Sequence, residues 1–125
     1  MPNAKPSSRT YKIVVIKGDG IGPELVDAAM QVLNAVEATL GGFRLEVEYR
    51  EGGAGLYRKS GENLSADTMQ AIKGAHATMK GPVGLPDVRL KDGTEAGTLG
   101  GVLRTGLDTY VNLRQVRLLP IAPRE

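Results

Sequence analysis

The sequence predicts an α/β fold in which a mixed sheet, built on a βαβ unit, is flanked by helices. Residues 13–16 are a run of β-branched side chains, which is typical of a strand buried on both faces. A segment with apolar residues at helical spacing follows, and after it comes the strictly alternating segment Phe43–Arg50. Strand, helix and strand in this order make a βαβ crossover of the usual size.

The 125 residues are enough for one domain. Residues 1–10 are polar and contain Pro2 and Pro6, so we predict a disordered leader there. Residues 11–120 are predicted to form a single α/β domain, and residues 121–125 a tail.

The first strand, residues 11–17, is followed by the glycine-rich turn GDGIGPE at residues 18–24. Pro23 suits the first position of a helix, because its missing N–H would have no intrahelical partner there. The strand Phe43–Arg50 has one apolar and one charged face, which places it near an edge of the sheet. The helix between the strands ends at Gly41-Gly42, and its apolar residues fall on one stripe: Leu25, Ala28, Ala29, Val32, Leu33 and Val36.

The second half of the chain is predicted to alternate short elements with loops. Ser65 can cap a short helix, Ala66–Lys73, in which Met69 and Ile72 make the buried contacts. Residues 81–101 form a long loop, and such loops are usually functional or disordered. The other predicted elements are a glycine-rich loop at 52–63, a strand at 75–80, a helical turn or two at 102–107 and a final strand at 109–119.

Composition excludes several classes of function. A net charge of +2, a single Phe and no Trp are evidence against a nucleic-acid-binding surface. The absence of Cys excludes disulfides and thiolate-bound zinc. No apolar run approaches the roughly 20 residues that span a bilayer. We therefore expect a cytoplasmic protein with no membrane or nucleic-acid partner.

The glycine turn after the first strand is open to two interpretations. Glycines at the first turn of a βαβ unit can bind phosphate at a helix amino terminus. Here they fall at positions 18, 20 and 22, and Pro23 stands where the dinucleotide-binding fingerprint needs its third glycine. The residues alone leave a tight structural turn and a ligand-binding turn equally open.

Three segments carry a family resemblance. GDGIGPE after a buried strand resembles the opening of the isocitrate and isopropylmalate dehydrogenase family. Lys80-Gly81-Pro82-Val83-Gly84 resembles the segment that leads into its nucleotide and substrate loop. Leu103-Arg104 with residues 107–114 (LDTYVNLR) resembles its arginine-bearing substrate segment. The resemblance covers residues 11–120 and implies the amino-terminal part of the isopropylmalate dehydrogenase fold.

The resemblance implies a substrate site and a cofactor segment. Family substrates are 2-hydroxy acids with a second carboxylate, and Arg104 and Arg114 match the arginines that bind these carboxylates. Thr98 and Leu99 lie where family members set substrate choice, and Gly84 and Leu85 lie on the cofactor side. Without the resemblance, the simpler interpretation of Arg104 and of Arg114 is a solvated surface arginine. Arg114, however, interrupts an apolar predicted strand, where an unpaired charge is costly.

The sequence does not decide which small dicarboxylic acid is the substrate. Isocitrate-specific relatives typically carry Ser-Leu-Asn where this chain has Thr98-Leu99-Gly100, so the amide that would contact the extra carboxylate is missing. Isopropylmalate-specific relatives place bulky apolar side chains nearby, and only Leu99 is available. A tartrate- or malate-like substrate remains open.

The other titratable residues are expected to be structural or solvated. His76, the only histidine, should have a hydrogen-bonded structural role. Asp87, Asp92 and Glu95 are better explained as a solvated charge run than as a metal site.

The resemblance further implies NAD or NADP and Mg²⁺ or Mn²⁺ as cofactors. The Tyr, Lys and Asp residues that serve proton transfer and metal binding in the family follow the equivalent of Glu125. We therefore predict no catalytic or metal-binding residue in this sequence, and a chain that is a partial enzyme without dehydrogenase activity of its own. The alternative is a stand-alone protein, repurposed to bind small carboxylates or to catalyse a different reaction. Family members are usually dimers, so a homo-oligomer is also considered.

Overall fold

A computed structural model describes residues 9–117 and confirms the α/β class. Its first strand begins at Arg9, so the last two residues of the predicted leader belong to that strand. Residues 1–8 and the predicted tail lie outside the described part. The elements are β1 (Arg9–Ile16), α1 (Gly22–Leu40), β2 (Phe43–Arg50), α2 (Ala54–Ser60), α3 (Ala66–Lys73), β3 (Ala77–Lys80) and α4 (Gly100–Gly106).

The sheet has three strands in the order β2-β1-β3, with β1 in the centre. Ile13 of β1 lies opposite Val47 of β2 and Ala77 of β3, and both pairings are parallel. The predicted mixed sheet is therefore corrected to a parallel one within residues 9–117. Parallel sheets are covered on both faces, which explains the β-branched run in β1.

The core lies on both sides of β1, because successive side chains of a strand point to opposite faces. Val15 packs with Val26 and Met30 of α1 on one face. Val14 and Ile16 pack on the other face with two residues from the second half of the chain, Ile72 and Leu99.

The buried face of α1 differs from the predicted stripe. Val26 and Met30 are buried, and Leu33 of the predicted stripe packs against them, whereas Leu25, Val32 and Val36 are exposed. A Cβ on Gly81 would lie 2.7 Å from Cγ2 of Val26, so the loop after β3 fits closely against that buried side chain.

Two further predictions are wrong for physical reasons. The predicted loop at 52–63 contains α2, whose capping partner lies far away in the sequence. The predicted final strand is not formed over residues 109–117, where no other described strand pairs with it, and Leu118 and Leu119 lie outside the described residues. Tyr110, Leu113 and Val116 are consequently exposed to solvent.

The amino terminus of α3 is capped as predicted. The Ser65 hydroxyl oxygen accepts a hydrogen bond from the amide of Thr68 at 3.1 Å. Replacing Ser65 by Ala should lower the free energy of unfolding by about 1 kcal/mol, because that amide loses its partner. Urea denaturation measures the change. Ser65→Asp retains a capping oxygen and should behave like the wild type; an equal loss in both variants would show that the cap contributes nothing.

Candidate functional site

The three parallel strands end at the same edge of the sheet. The turn at residues 18–22 follows β1, residues 51–53 follow β2 and residues 81–85 follow β3. In open α/β sheets, ligands bind outside the carboxyl ends of the strands. This edge is therefore the candidate site.

Asp19 joins the turn after β1 to the start of α2, which follows residues 51–53, and to the loop after β3. Its carboxylate Oδ2 accepts hydrogen bonds from the amides of Ala54 at 2.6 Å and Gly84 at 3.1 Å, and Oδ1 accepts one from the amide of Gly55 at 2.8 Å. Its own amide donates to the carbonyl oxygen of Pro82 at 3.0 Å. The sequence analysis missed this role, because the partners lie 35 to 65 residues away.

The glycines of the first turn allow close backbone packing. Gly18 has a φ of +78°, and a Cβ there would lie 2.9 Å from the carbonyl carbon of Pro82 and closer still to its oxygen. A Cβ on Gly22 would lie 2.6 Å from the same oxygen. The crevice between β1 and β3 is thus filled by the backbone of the chain itself.

This packing accounts for the turn as a structural element. The amides of Ala54, Gly55 and Gly84, which could otherwise bind an anion, are bonded to Asp19. The Glu95 carboxylate also lies against Gly84. A pyrophosphate does not fit against these amides, because it would meet two carboxylates.

A cleft of about 580 Å³ opens beside Asp19, between the ends of β1 and β2. Its lining includes Lys17, Arg50 and Lys59. Each is paired with carboxylates of the chain: Lys17 with Asp27 at 2.6 Å, Arg50 with Glu48 and Asp67, and Lys59 with Glu51 at 3.3 Å. The hydrogen bond to Asp27 raises the pKa of Lys17 above its ordinary value. Each of these cations thus has a carboxylate partner within the described chain.

The two predicted substrate arginines are exposed and, unlike the three cations of the cleft, are not paired with a carboxylate in the described chain. Arg104 lies on α4, and Arg114 lies in residues 109–117, which form no strand. Within residues 9–117, neither forms a salt bridge. The Arg104 guanidinium lies against Gly100, where a Cβ would be 3.2 Å from Nη2.

The predicted selectivity residues differ from each other in burial. Thr98 is exposed, and its carbonyl oxygen accepts a hydrogen bond from the Asn63 side chain at 3.0 Å. Leu99 is 0% exposed and packs with Val14, Ile16 and Ile72. Any effect of the Leu99 side chain on substrate choice therefore passes through the position of its neighbours.

The loop at 81–101 is structured rather than open. Val88 and Ala96 are buried with Ala54, and the half-buried Leu85 packs against them. The amide of Leu90 donates to the carbonyl oxygen of Thr94 at 2.8 Å, which closes a tight turn. Gly84 and Leu85, the predicted cofactor residues, are thus held on a fixed framework.

The remaining polar residues have local partners. Nδ1 of His76 accepts a hydrogen bond from the amide of Lys12 at 2.9 Å, in agreement with a structural role. Asp87 pairs with Arg58, and the hydroxyl and amide of Thr94 lower the pKa of Asp92 below its ordinary value. Within residues 9–117, no group of three His, Cys, Asp or Glu residues could hold a metal ion. No helix in that range is long and apolar enough to cross a membrane.

The sequence profile of the isocitrate/isopropylmalate dehydrogenase family matches residues 12–124. The chain belongs to this family. The match confirms the resemblance carried by the three segments.

Individual relatives match the chain over part of their own length. A probable tartrate dehydrogenase/decarboxylase from Agrobacterium vitis is 38% identical over 115 residues, which are 90% of this chain and 31% of that protein. A 3-isopropylmalate dehydrogenase from Leifsonia xyli subsp. xyli is 42% identical over 115 residues, 90% of this chain and 32% of that protein. The crystal structure of an apo β-decarboxylating dehydrogenase from Thermococcus kodakarensis matches with a TM-score of 0.62 and 33% identity, over 78% of this chain and 27% of that one.

Proposed function

We propose that this chain is the amino-terminal part of an NAD(P)-dependent β-decarboxylating dehydrogenase that acts on a 2-hydroxy dicarboxylic acid. The family match over residues 12–124 carries this proposal. Because the chain spans 31% of the tartrate dehydrogenase/decarboxylase relative, turnover belongs to a longer protein. The role of the present residues is to bind and orient the substrate.

Arg104 and Arg114 are proposed to bind the substrate carboxylates. A guanidinium group pairs two oxygens at once, and both side chains are exposed and without a salt bridge in the described chain. A dicarboxylate that binds between them would hold its hydroxyl-bearing carbon in a fixed orientation.

Residues 98–100, the selectivity segment, are best suited to a small substrate such as tartrate or malate. Thr98 offers an exposed hydroxyl, and Gly100 has no side chain beside Arg104. The Agrobacterium vitis relative is named for tartrate, which supports the same class. Leu99 anchors the segment in the core and so sets where Thr98 lies.

The cofactors require residues outside the described part. The described residues contain no group of three His, Cys, Asp or Glu side chains that could hold a metal ion. NAD or NADP would accept the hydride when bound. Gly84 and Leu85 are proposed to contact this cofactor through van der Waals contacts and their carbonyl oxygens, since the Gly84 amide is bonded to Asp19. A cytoplasmic location and a homo-oligomeric enzyme are proposed on the same family basis.

Calorimetric titration with tartrate, malate and isopropylmalate tests the substrate site. Replacing Arg104 or Arg114 by Ala should weaken binding about 10- to 100-fold, because each removes hydrogen bonds to a charged group. Arg44→Ala removes an exposed arginine on β2 and serves as the matched control. Equal affinity in all four proteins would contradict the site. Turnover by the 125-residue chain alone would contradict the need for a longer protein.

A further inference from the structure

We infer that Asp19 is a positioning residue, whose carboxylate holds the loop at residues 81–85 against the start of α2. The functional meaning of this inference rests on the proposed function, which assigns Gly84 and Leu85 to the cofactor. That Asp19 holds this loop in place is inferred from its hydrogen bonds and does not depend on the proposed function.

The Asp19 carboxylate is half-buried, with backbone amides on one side and the cleft on the other. It accepts hydrogen bonds from the amides of Ala54, Gly55 and Gly84, which come from two separate segments. A Cβ on Gly53 would collide with Oδ2, and one on Gly55 would lie 3.0 Å from Oδ1. Glycines therefore leave room for a carboxylate at this point and for little more.

A carboxylate suits these three donors better than any other side chain. Its two oxygens are acceptors only, whereas an Asn amide would turn an NH₂ group toward one of the N–H donors. α2 has no side-chain cap at Gly53 and no acidic residue in its first turn. Asp19 supplies from a distant turn the negative charge that the helix amino terminus favours.

The segment before Thr98 and Leu99 packs on the same start of α2 that Asp19 contacts. A Cβ on Gly97 would lie 2.7 Å from the carbonyl carbon of Gly53 and collide with Ala54. The backbone before Thr98 is thus packed directly on the residues that Asp19 holds. Both candidate binding segments depend on one side chain of the first turn.

Amide hydrogen exchange measured by NMR tests the inference. In Asp19→Ala, the amides of Gly84, Ala54 and Gly55 should exchange on the order of tenfold faster or more, because each loses a charged acceptor. The amides of Val14, Val15 and Ile16 should keep their wild-type rates. Asp19→Asn retains the shape and one acceptor oxygen, so it should give intermediate rates. Asp27→Asn changes a carboxylate whose salt-bridge partner among residues 9–117 is Lys17, and it should leave all these rates unchanged.

Formate provides a rescue that a general loss of stability would not show. Asp19 lines the open cleft, so formate can reach the amides that Asp19→Ala leaves unpaired. Formate should restore slow exchange at Gly84, Ala54 and Gly55, whereas chloride at equal ionic strength should not.

Two results would overturn the inference. One is wild-type exchange at Gly84 in Asp19→Ala. The other is acceleration of the β1 amides by the same factor as the three contacted amides, with no response to formate. If Asp19→Ala does not fold, Asp19→Asn decides by the same comparison of Gly84 with β1. No dicarboxylate or cofactor is present in these measurements, so a failure of the arginine site would leave their outcome unchanged.

Discussion

Replacing Gly18 by Ala should lower the free energy of unfolding by about 3 to 5 kcal/mol, or prevent folding. Two effects add at this position. The φ of +78° disfavours any side chain, and the new Cβ would collide with the carbonyl group of Pro82. Because that group belongs to the loop after β3, relief of the collision must separate β1 from the loop. Urea denaturation followed by circular dichroism measures the loss.

Gly93→Ala is the matched control for this prediction. Gly93 has a similar φ of +84°, but a Cβ there would have no neighbour within 4 Å. Its loss should be only the backbone strain of about 1 to 2 kcal/mol. Equal losses at the two positions would show that the close approach of Gly18 to Pro82 contributes nothing.

Replacing Leu99 by Ala should lower the free energy of unfolding by about 2 to 5 kcal/mol. The side chain is 0% exposed and lies in the cluster with Val14, Ile16 and Ile72, so its removal leaves a cavity beside the central strand. Thermal and urea denaturation both report the change.

Thr98→Ala separates the role in substrate choice that the family resemblance gives to residues 98 and 99 from the structural role of the buried Leu99. Thr98 is exposed, and its substitution should change stability by no more than about 0.5 kcal/mol. It should instead weaken dicarboxylate binding if its hydroxyl contacts the substrate. A Leu99→Ala protein with unchanged stability and weakened binding would contradict the structural role assigned to Leu99.

Local patterns in the sequence predicted much of the fold. The β-branched run in β1, the alternation in β2 and the Ser65 cap each act within a few residues of chain. For that reason the βαβ unit and α3 were found close to their observed bounds. The three family segments also predicted the family correctly, because they occur in the expected order.

Features that depend on distant contacts were missed. α2 starts at Ala54, after a glycine that offers no side-chain cap, and the Ala54 amide is bonded to Asp19, 35 residues earlier. The buried face of α1 includes Val26 and Met30, which pack on Val15 of β1, and helical periodicity alone does not reveal this contact. Residues 109–117 have the composition of a strand, but a strand also needs a neighbour, and none lies beside them in the described chain.

One titration can test whether the first turn is structural and the two arginines bind the substrate. Tartrate is added to isotope-labelled protein, and the backbone and guanidinium NMR signals are followed. We expect the signals of Arg104 and Arg114 to shift, while the amides of Ala54 and Gly55 stay unchanged because the Asp19 carboxylate of the chain itself is bound there. The largest shifts at Ala54 and Gly55, with Arg104 and Arg114 unaffected, would contradict both the arginine site and the structural role of the glycine turn.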